Sequence, residues 1–334
     1  MAISGRARRV VRAVVAAAGV LTAAAALKGR AEVGLLAGPH PPQASLSEQA
    51  VTLYGLPVVT EHRYRMSAKI RPLLLFWIGR DNVGGARLRW RRGENGDRGY
   101  DLLIGSDPAR APRRINRWGF LLEETRGNDT KVVGVMKKSD EDSLDEAKAG
   151  VANEGSAGIF FKMIQARSDA HESVATVTIT RVARDYSYRE LDSLLDALVK
   201  FPGQPRIRKV AVPAAGRPGF LGGLAELLHD AVDSVTRTHR APARKSVAYA
   251  YFGKQYDLSR TSAGILTNVT LEGVTYARLV QSEFEVRARG DPSKETFTIT
   301  CGVDGPLAEI PVFVSYQPKW WFRADMVLDE REVF

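Results

Sequence analysis

Apolar and polar residues alternate with a period of two over residues 61–185 and again from 246 onward. Tyr64, Met66, Ala68 and Ile70 alternate with Arg65, Ser67, Lys69 and Arg71. Ala86, Leu88 and Trp90 alternate with Arg87, Arg89 and Arg91. Successive side chains of a strand point to opposite faces, so this pattern predicts strands with one buried and one wet face. Further strands are expected at 118–124, 131–137, 159–166 and 173–182, the last two joined by a hairpin at Ser168–His171. Arg91–Gly99 is turn material, and Arg80-Asp-Asn-Val-Gly-Gly85 also reads as a turn because Asn and Gly tolerate positive φ. A calcium loop would need more oxygen ligands at alternate positions than this stretch supplies.

The period changes once. Ser187 and Glu190 fit a capping box, and Leu191, Leu194, Leu195 and Leu198 follow at helical spacing. Leu221, Leu224, Leu227, Leu228, Val232 and Val235 form a second stripe, after an irregular connection marked by Pro205, Pro213 and Pro218. Beyond 246, Gly253-Lys254, Glu272-Gly273, Gly290–Lys294 and Gln317-Pro318 separate the strands of a meander. The expected fold is mainly β. Two antiparallel β-meander domains (sandwich or half-barrel) occupy 49–185 and 246–334, joined at 186–245 by a segment with two amphipathic helices. The alternative is a single curved sheet wrapping the helices, a shape analogous to that of periplasmic lipoprotein carriers.

Residues 1–31 carry six Lys/Arg and no Asp/Glu, and Ala13–Leu27 is an apolar run. A basic start, a short apolar segment and a small-x-small ending at Gly29-Arg30-Ala31 predict an export signal, followed by a flexible leader at 32–48. Fifteen residues at a helical rise of ~1.5 Å reach roughly 22 Å, short of the ~30 Å hydrocarbon core. The expected location is therefore periplasmic or extracellular. The only Cys is Cys301, so no lipid-bearing Cys follows the signal and no intramolecular disulfide forms. In its strand-like run Cys301 is expected to be buried.

The formal charge of +10 suggests nucleic acid, but without residues 1–31 the chain has 42 Lys/Arg against 38 Asp/Glu, a net of +4. Nucleic acid is thereby disfavoured as a partner. The basic charge is concentrated, with 14 Lys/Arg against six Asp/Glu over residues 61–120. Arg87, Arg89 and Arg91 share a strand face. Arg110, Arg113, Arg114, Asn116, Arg117 and Trp118 lie in one loop. Guanidinium groups bind carboxylates, phosphates and sulfates in bidentate fashion, so these nine residues form the candidate ligand site. Its partner would be an anionic polysaccharide, a lipid head group or an acidic protein surface. If the groups serve structure instead, they pair with Asp101, Asp107, Glu123 and Glu124. Tyr316, Trp320 and Trp321 form a candidate aromatic platform, with core packing as the alternative.

Catalytic motifs are missing. There is no Gly-x-Ser-x-Gly, no phosphate loop, no Gly-x-Gly-x-x-Gly and no paired Cys for zinc. His229 with Asp230 or Asp233 is the only base-and-partner candidate, and a surface histidine is the simpler reading. Glu123-Glu124 is the best adjacent carboxylate pair, but in a strand the two point to opposite faces. No cofactor and no metal is expected. The leading expectation is an exported, non-catalytic binding or scaffold protein of the cell envelope. The alternatives are a secreted polysaccharide hydrolase, which needs two carboxylates ~5–10 Å apart, and a carrier of lipid in a curved-sheet cavity.

Overall fold

The computed structural model describes residues 51–71, 78–111, 114, 116–137, 159–200, 205–213, 219–251, 253–319 and 322–329. Eight strands run through the first half: β1 (Val58–Ile70), β2 (Ile78–Arg92), β3 (Arg98–Ser106), β4 (Trp118–Arg126), β5 (Asp129–Lys137), β6 (Ile159–Ser168), β7 (Glu172–Val182) and β8 (Pro205–Ala211). Six follow: β9 (Lys245–Tyr251), β10 (Lys254–Leu271), β11 (Val274–Ala288), β12 (Lys294–Gly302), β13 (Pro311–Lys319) and β14 (Phe322–Leu328). Helix α1 (Leu191–Lys200) lies between β7 and β8, and α2 (Phe220–Thr238) separates the two groups.

All fourteen strands form one sheet in the order β8-β7-β6-β5-β4-β3-β2-β1-β14-β13-β12-β11-β10-β9, and every strand pair is antiparallel. The two meanders read from the sequence are therefore not separate sheets. They are fused where β1 meets β14, with Tyr64 opposite Leu328 and Ile70 opposite Phe322. The far edges nearly meet as well. Gln255 at the start of β10 donates to the Ala211 carbonyl of β8, 2.8 Å. A Cβ on Gly253 would stand 2.4 Å from Arg208 Cβ, so the β9–β10 turn fits against β8 only as glycine, at φ +71°.

A sheet this curved must fill its concave side, and α2 does so. Phe220, Leu221, Leu224, Leu227, Leu228, Ala231, Val232 and Val235 are buried. They share one core with Leu102, Leu121, Ile164 and Val177 from one half of the sheet and Tyr249, Leu258, Phe284 and Phe297 from the other. Aromatic rings add to this core, with Tyr249–Tyr256 and Phe284–Phe297 stacked at 5.3 and 5.2 Å. A second core lies on the opposite face of β3–β6, where Leu103, Phe120, Leu122 and Phe161 pack under Leu191, Leu194 and Leu198 of α1. Ser187 and Glu190 form the expected capping box ahead of α1, Ser187 N–H donating to Glu190 Oε2 at 3.0 Å.

Three local expectations change. Residues 80–85 are not a turn between strands. They form an irregularity inside β2, where the register with β1 slips between Met66 and Ala68 and Asn82 takes φ 56°. Gly84 is required there by contact, since a Cβ would lie 2.1 Å from the Gly105 carbonyl oxygen. Gln317-Pro318 falls within β13 rather than between strands. The connecting segment 186–245 contains a strand, β8, whose alternation was hidden among prolines and charges. The acidic run at 140–148 and Trp77 lie outside the described residues.

Because α2 packs on both halves, the sheet and helix should unfold together. Leu227 is fully buried in the main core. Leu227→Ala is expected to lower stability by about 2–5 kcal/mol in a denaturant titration, with one transition for the whole molecule.

Candidate functional site

Among the described residues, two of the arginines singled out in the sequence, Arg89 and Arg91, hold acidic side chains of neighbouring segments. Arg87, Arg89 and Arg91 lie on the outer face of β2, opposite the helix-facing Ala86, Leu88 and Trp90. Arg91 grips the buried Asp101 through Nε and Nη2, at 3.1 and 2.9 Å, and donates to the Leu56 carbonyl from Nη1. Arg89 Nε donates to Glu61, 2.6 Å. Arg87 is lowered in pKa, by burial first and then by Arg89. Its Nε has no hydrogen-bond partner among the described residues.

The described residues of the loop after β3 have different partners. Trp118 is buried in the second core and donates from Nε1 to the Tyr186 carbonyl, 2.9 Å. Asn116 donates to Asp185 and to the same carbonyl. Arg117 exchanges backbone contacts with Ser106. Arg110 lies 3.8 Å from Asp107, and Arg114 is exposed in a left-handed conformation, φ 54°. Arg113 lies outside the described residues, as do Trp320 and Trp321. Tyr316, the third member of the aromatic trio, is buried and donates to Glu295, 2.7 Å. It packs in the core with Phe297 and Ala324.

His229 Nδ1 lies 2.6 Å from Glu309, not against Asp230 or Asp233. Asp233 pairs with Arg237, and Asp230 with Lys245 and Arg260. Cys301 is buried, and burial pushes its thiol up to about 12. Among the described residues no group of three or more His, Cys, Asp or Glu could hold a metal ion.

What the fold builds instead is an apolar cavity on the concave side. Tyr64, Ala86, Leu88 and Leu102 line it from β1–β3. Phe297, Ile299, Pro311, Val314, Tyr316 and Met326 line it from β12–β14. Leu221 and Leu224 close it from the first turns of α2. About 80 Å³ is open to the centres of water-sized spheres, and almost every atom on the wall is carbon. One water needs ~10–15 Å³ by that measure together with polar partners, which this wall does not offer.

The wall contributed by α2 depends on two buried charges. Glu123 of β4 points inward and accepts from the first three helical N–H groups. Phe220 N–H donates to Oε1 at 3.0 Å, Leu221 N–H to both oxygens at 3.0 Å, and Gly222 N–H to Oε2 at 3.2 Å. A carboxylate is stabilised at the positive end of a helix. Further along, Arg260 is 1% exposed. It donates to the Leu227 carbonyl, to Asp230 Oδ2 and to the Ala243 carbonyl, at 2.7, 2.6 and 2.7 Å. Glu124 points the other way and accepts from Gly55 and Leu56 N–H at 2.9 and 3.0 Å. The neighbouring glutamates thus act on opposite faces, as their spacing requires. The sequence marks Glu123 only as half of an adjacent carboxylate pair and does not single out Arg260, although both sit on the apolar phase of their strands. Gly119-x-Leu121-x-Glu123 and Tyr256-x-Leu258-x-Arg260 carry that signal.

If the arginine stripe is structural, removing Arg91 leaves Asp101 buried without its cation. Arg91→Ala is expected to cost about 3–5 kcal/mol in denaturant unfolding, and Arg89→Ala, at a partly exposed pair, under about 1 kcal/mol. Glu123 generates a pH prediction. Burial raises its pKa from 4.5 to about 7 against the opposing pull of three backbone N–H groups. The folded state then holds this proton more tightly than the unfolded state. Its contribution is fully present below pH 4.5 and is lost as pH rises through about 7. Wild-type stability relative to Glu123→Gln should fall by about 3 kcal/mol between pH 4.5 and 8, read from paired denaturation curves. No family model, no curated protein and no solved structure matches the chain.

Proposed function

We propose that this protein is an exported, non-catalytic binding protein of the cell envelope that carries a small apolar ligand on the concave side of its sheet. The observation that supports this most is the cavity between α2 and β1–β3 and β12–β14, whose wall presents carbon almost throughout. An aqueous protein does not leave such a wall open without cost, since its lining loses contacts that a hydrocarbon guest would restore. Export is supported by the basic start and the apolar run at 13–27. The hydrolase reading has less behind it. Of the four carboxylates of Glu123, Glu124, Asp101 and Asp325, Glu123 and Glu124 hold separate backbone N–H groups, and Asp101 and Asp325 hold separate side-chain donors.

The test is direct binding. A neutral naphthylamine probe should gain fluorescence on mixing with the protein, and Ala86→Trp, which places an indole in the cavity, should reduce the binding at least tenfold. The variant is first checked for the wild-type circular-dichroism spectrum. A wild-type protein that leaves the probe unbound would sink the proposal.

A further inference from the structure

The same helix that closes the cavity is held by a single carboxylate, and the geometry points to control of one by the other. We propose that Glu123 is a positioning residue for the cavity. As a carboxylate it holds the first turn of α2 in the ligand-binding arrangement, and as a carboxylic acid it lets that turn go. The inference rests on reading the cavity as the ligand site.

The argument begins with hydrogen counts. Both oxygens of Glu123 face N–H donors, Oε1 those of Phe220 and Leu221, Oε2 those of Leu221 and Gly222. A proton on either oxygen turns an acceptor into a donor facing another donor. At least one of the four N–H···O contacts is then lost, and the hold of the carboxyl on the first turn weakens. The turn cannot accept the change by sliding sideways. A Cβ on Gly219 would lie 2.4 Å from Oε2, so the carboxyl already touches the backbone ahead of the helix. Leu221, whose N–H is bonded to both oxygens, and Leu224, one turn on, are the two helix residues that line the cavity. Moving the first turn moves that wall.

The carboxyl has no compensating cation nearby among the described residues. Tyr100 stands opposite it on β3 and Val132 on β5. Tyr249 and Tyr251 are the β9 groups that feel its charge. The first turn of α2 itself carries no acid. Arg217, two residues before Gly219, lies outside the described residues. Burial brings the carboxyl up to about 7, so both forms are populated near neutral pH. Linkage makes the effect reciprocal: a ligand that needs the charged form expels a proton when it binds.

The experiment follows the neutral naphthylamine probe at pH 6 and pH 8. If only the charged form binds, the fraction competent falls from about nine-tenths to about one-tenth, so the apparent Kd rises about tenfold at pH 6. Glu123→Gln, whose amide always places a donor against the helix, should bind weakly at both pH values with a ratio near one. A wild-type ratio within twofold, or a tenfold ratio retained in the Gln variant, would overturn the proposal. Arg217→Ala should keep the wild-type ratio, and its loss there would overturn the assignment to Glu123. Amide exchange decides the matter without a ligand and without the variant. Protection of Phe220, Leu221 and Gly222 in the wild type should fall at least tenfold from pH 8 to pH 6, after correction for intrinsic rates. Equal protection at the two pH values would overturn the clamp, whereas loss of protection with no probe bound at either pH would leave the clamp standing and remove the cavity reading.

Discussion

A helix placed inside a curved sheet brings its unpaired N–H groups into a region without water. Every other arrangement in this protein is compatible with that demand being met by Glu123. The first four N–H groups of any helix lack intrahelical acceptors, and in an apolar interior each needs one. One side chain from β4 supplies acceptors to three of them. Arg260 meets the complementary need farther along, accepting no bond itself and binding two carbonyls and Asp230. With the helix fixed at both places, its leucines and valines fill the concave side, and the remaining space is the apolar cavity.

Much of the strand pattern was legible because alternation is a local property of one buried face. Strands β4–β7 and the meander β9–β14 lie close to where the period of two places them. The joining of the halves was not legible. Nothing local in Tyr64-Arg-Met-Ser or in Ala324-Asp-Met-Val says that these two runs are neighbours, since pairing of distant strands depends on the closure of the whole sheet. β8 was missed because Pro205 and the charges around Ile207 and Val210 dilute its alternation, as befits a strand at a sheet edge.

The functional residues divide along the same line. The Arg87, Arg89 and Arg91 face was placed correctly on one side of one strand, but its partners Glu61, Asp101 and Leu56 come from other segments. Composition alone cannot separate a ligand-binding guanidinium from one that neutralises a buried Asp. The cavity left even less trace. Its wall draws on seven elements and is made of residues that any core would use. The legible part was the misfit: Glu123 and Arg260 are charged residues in register with apolar ones, and a misfit of that kind marks a buried group with a specific partner.

The pairing of β1 with β14 has a consequence in time. The first described strand to emerge from the ribosome must wait for the last described strand before its outer edge is covered. Until then one long edge, Val58–Ile70, presents open N–H and C=O groups to any neighbouring chain. Contacts so remote along the sequence make folding slow. Neither half alone completes the sheet.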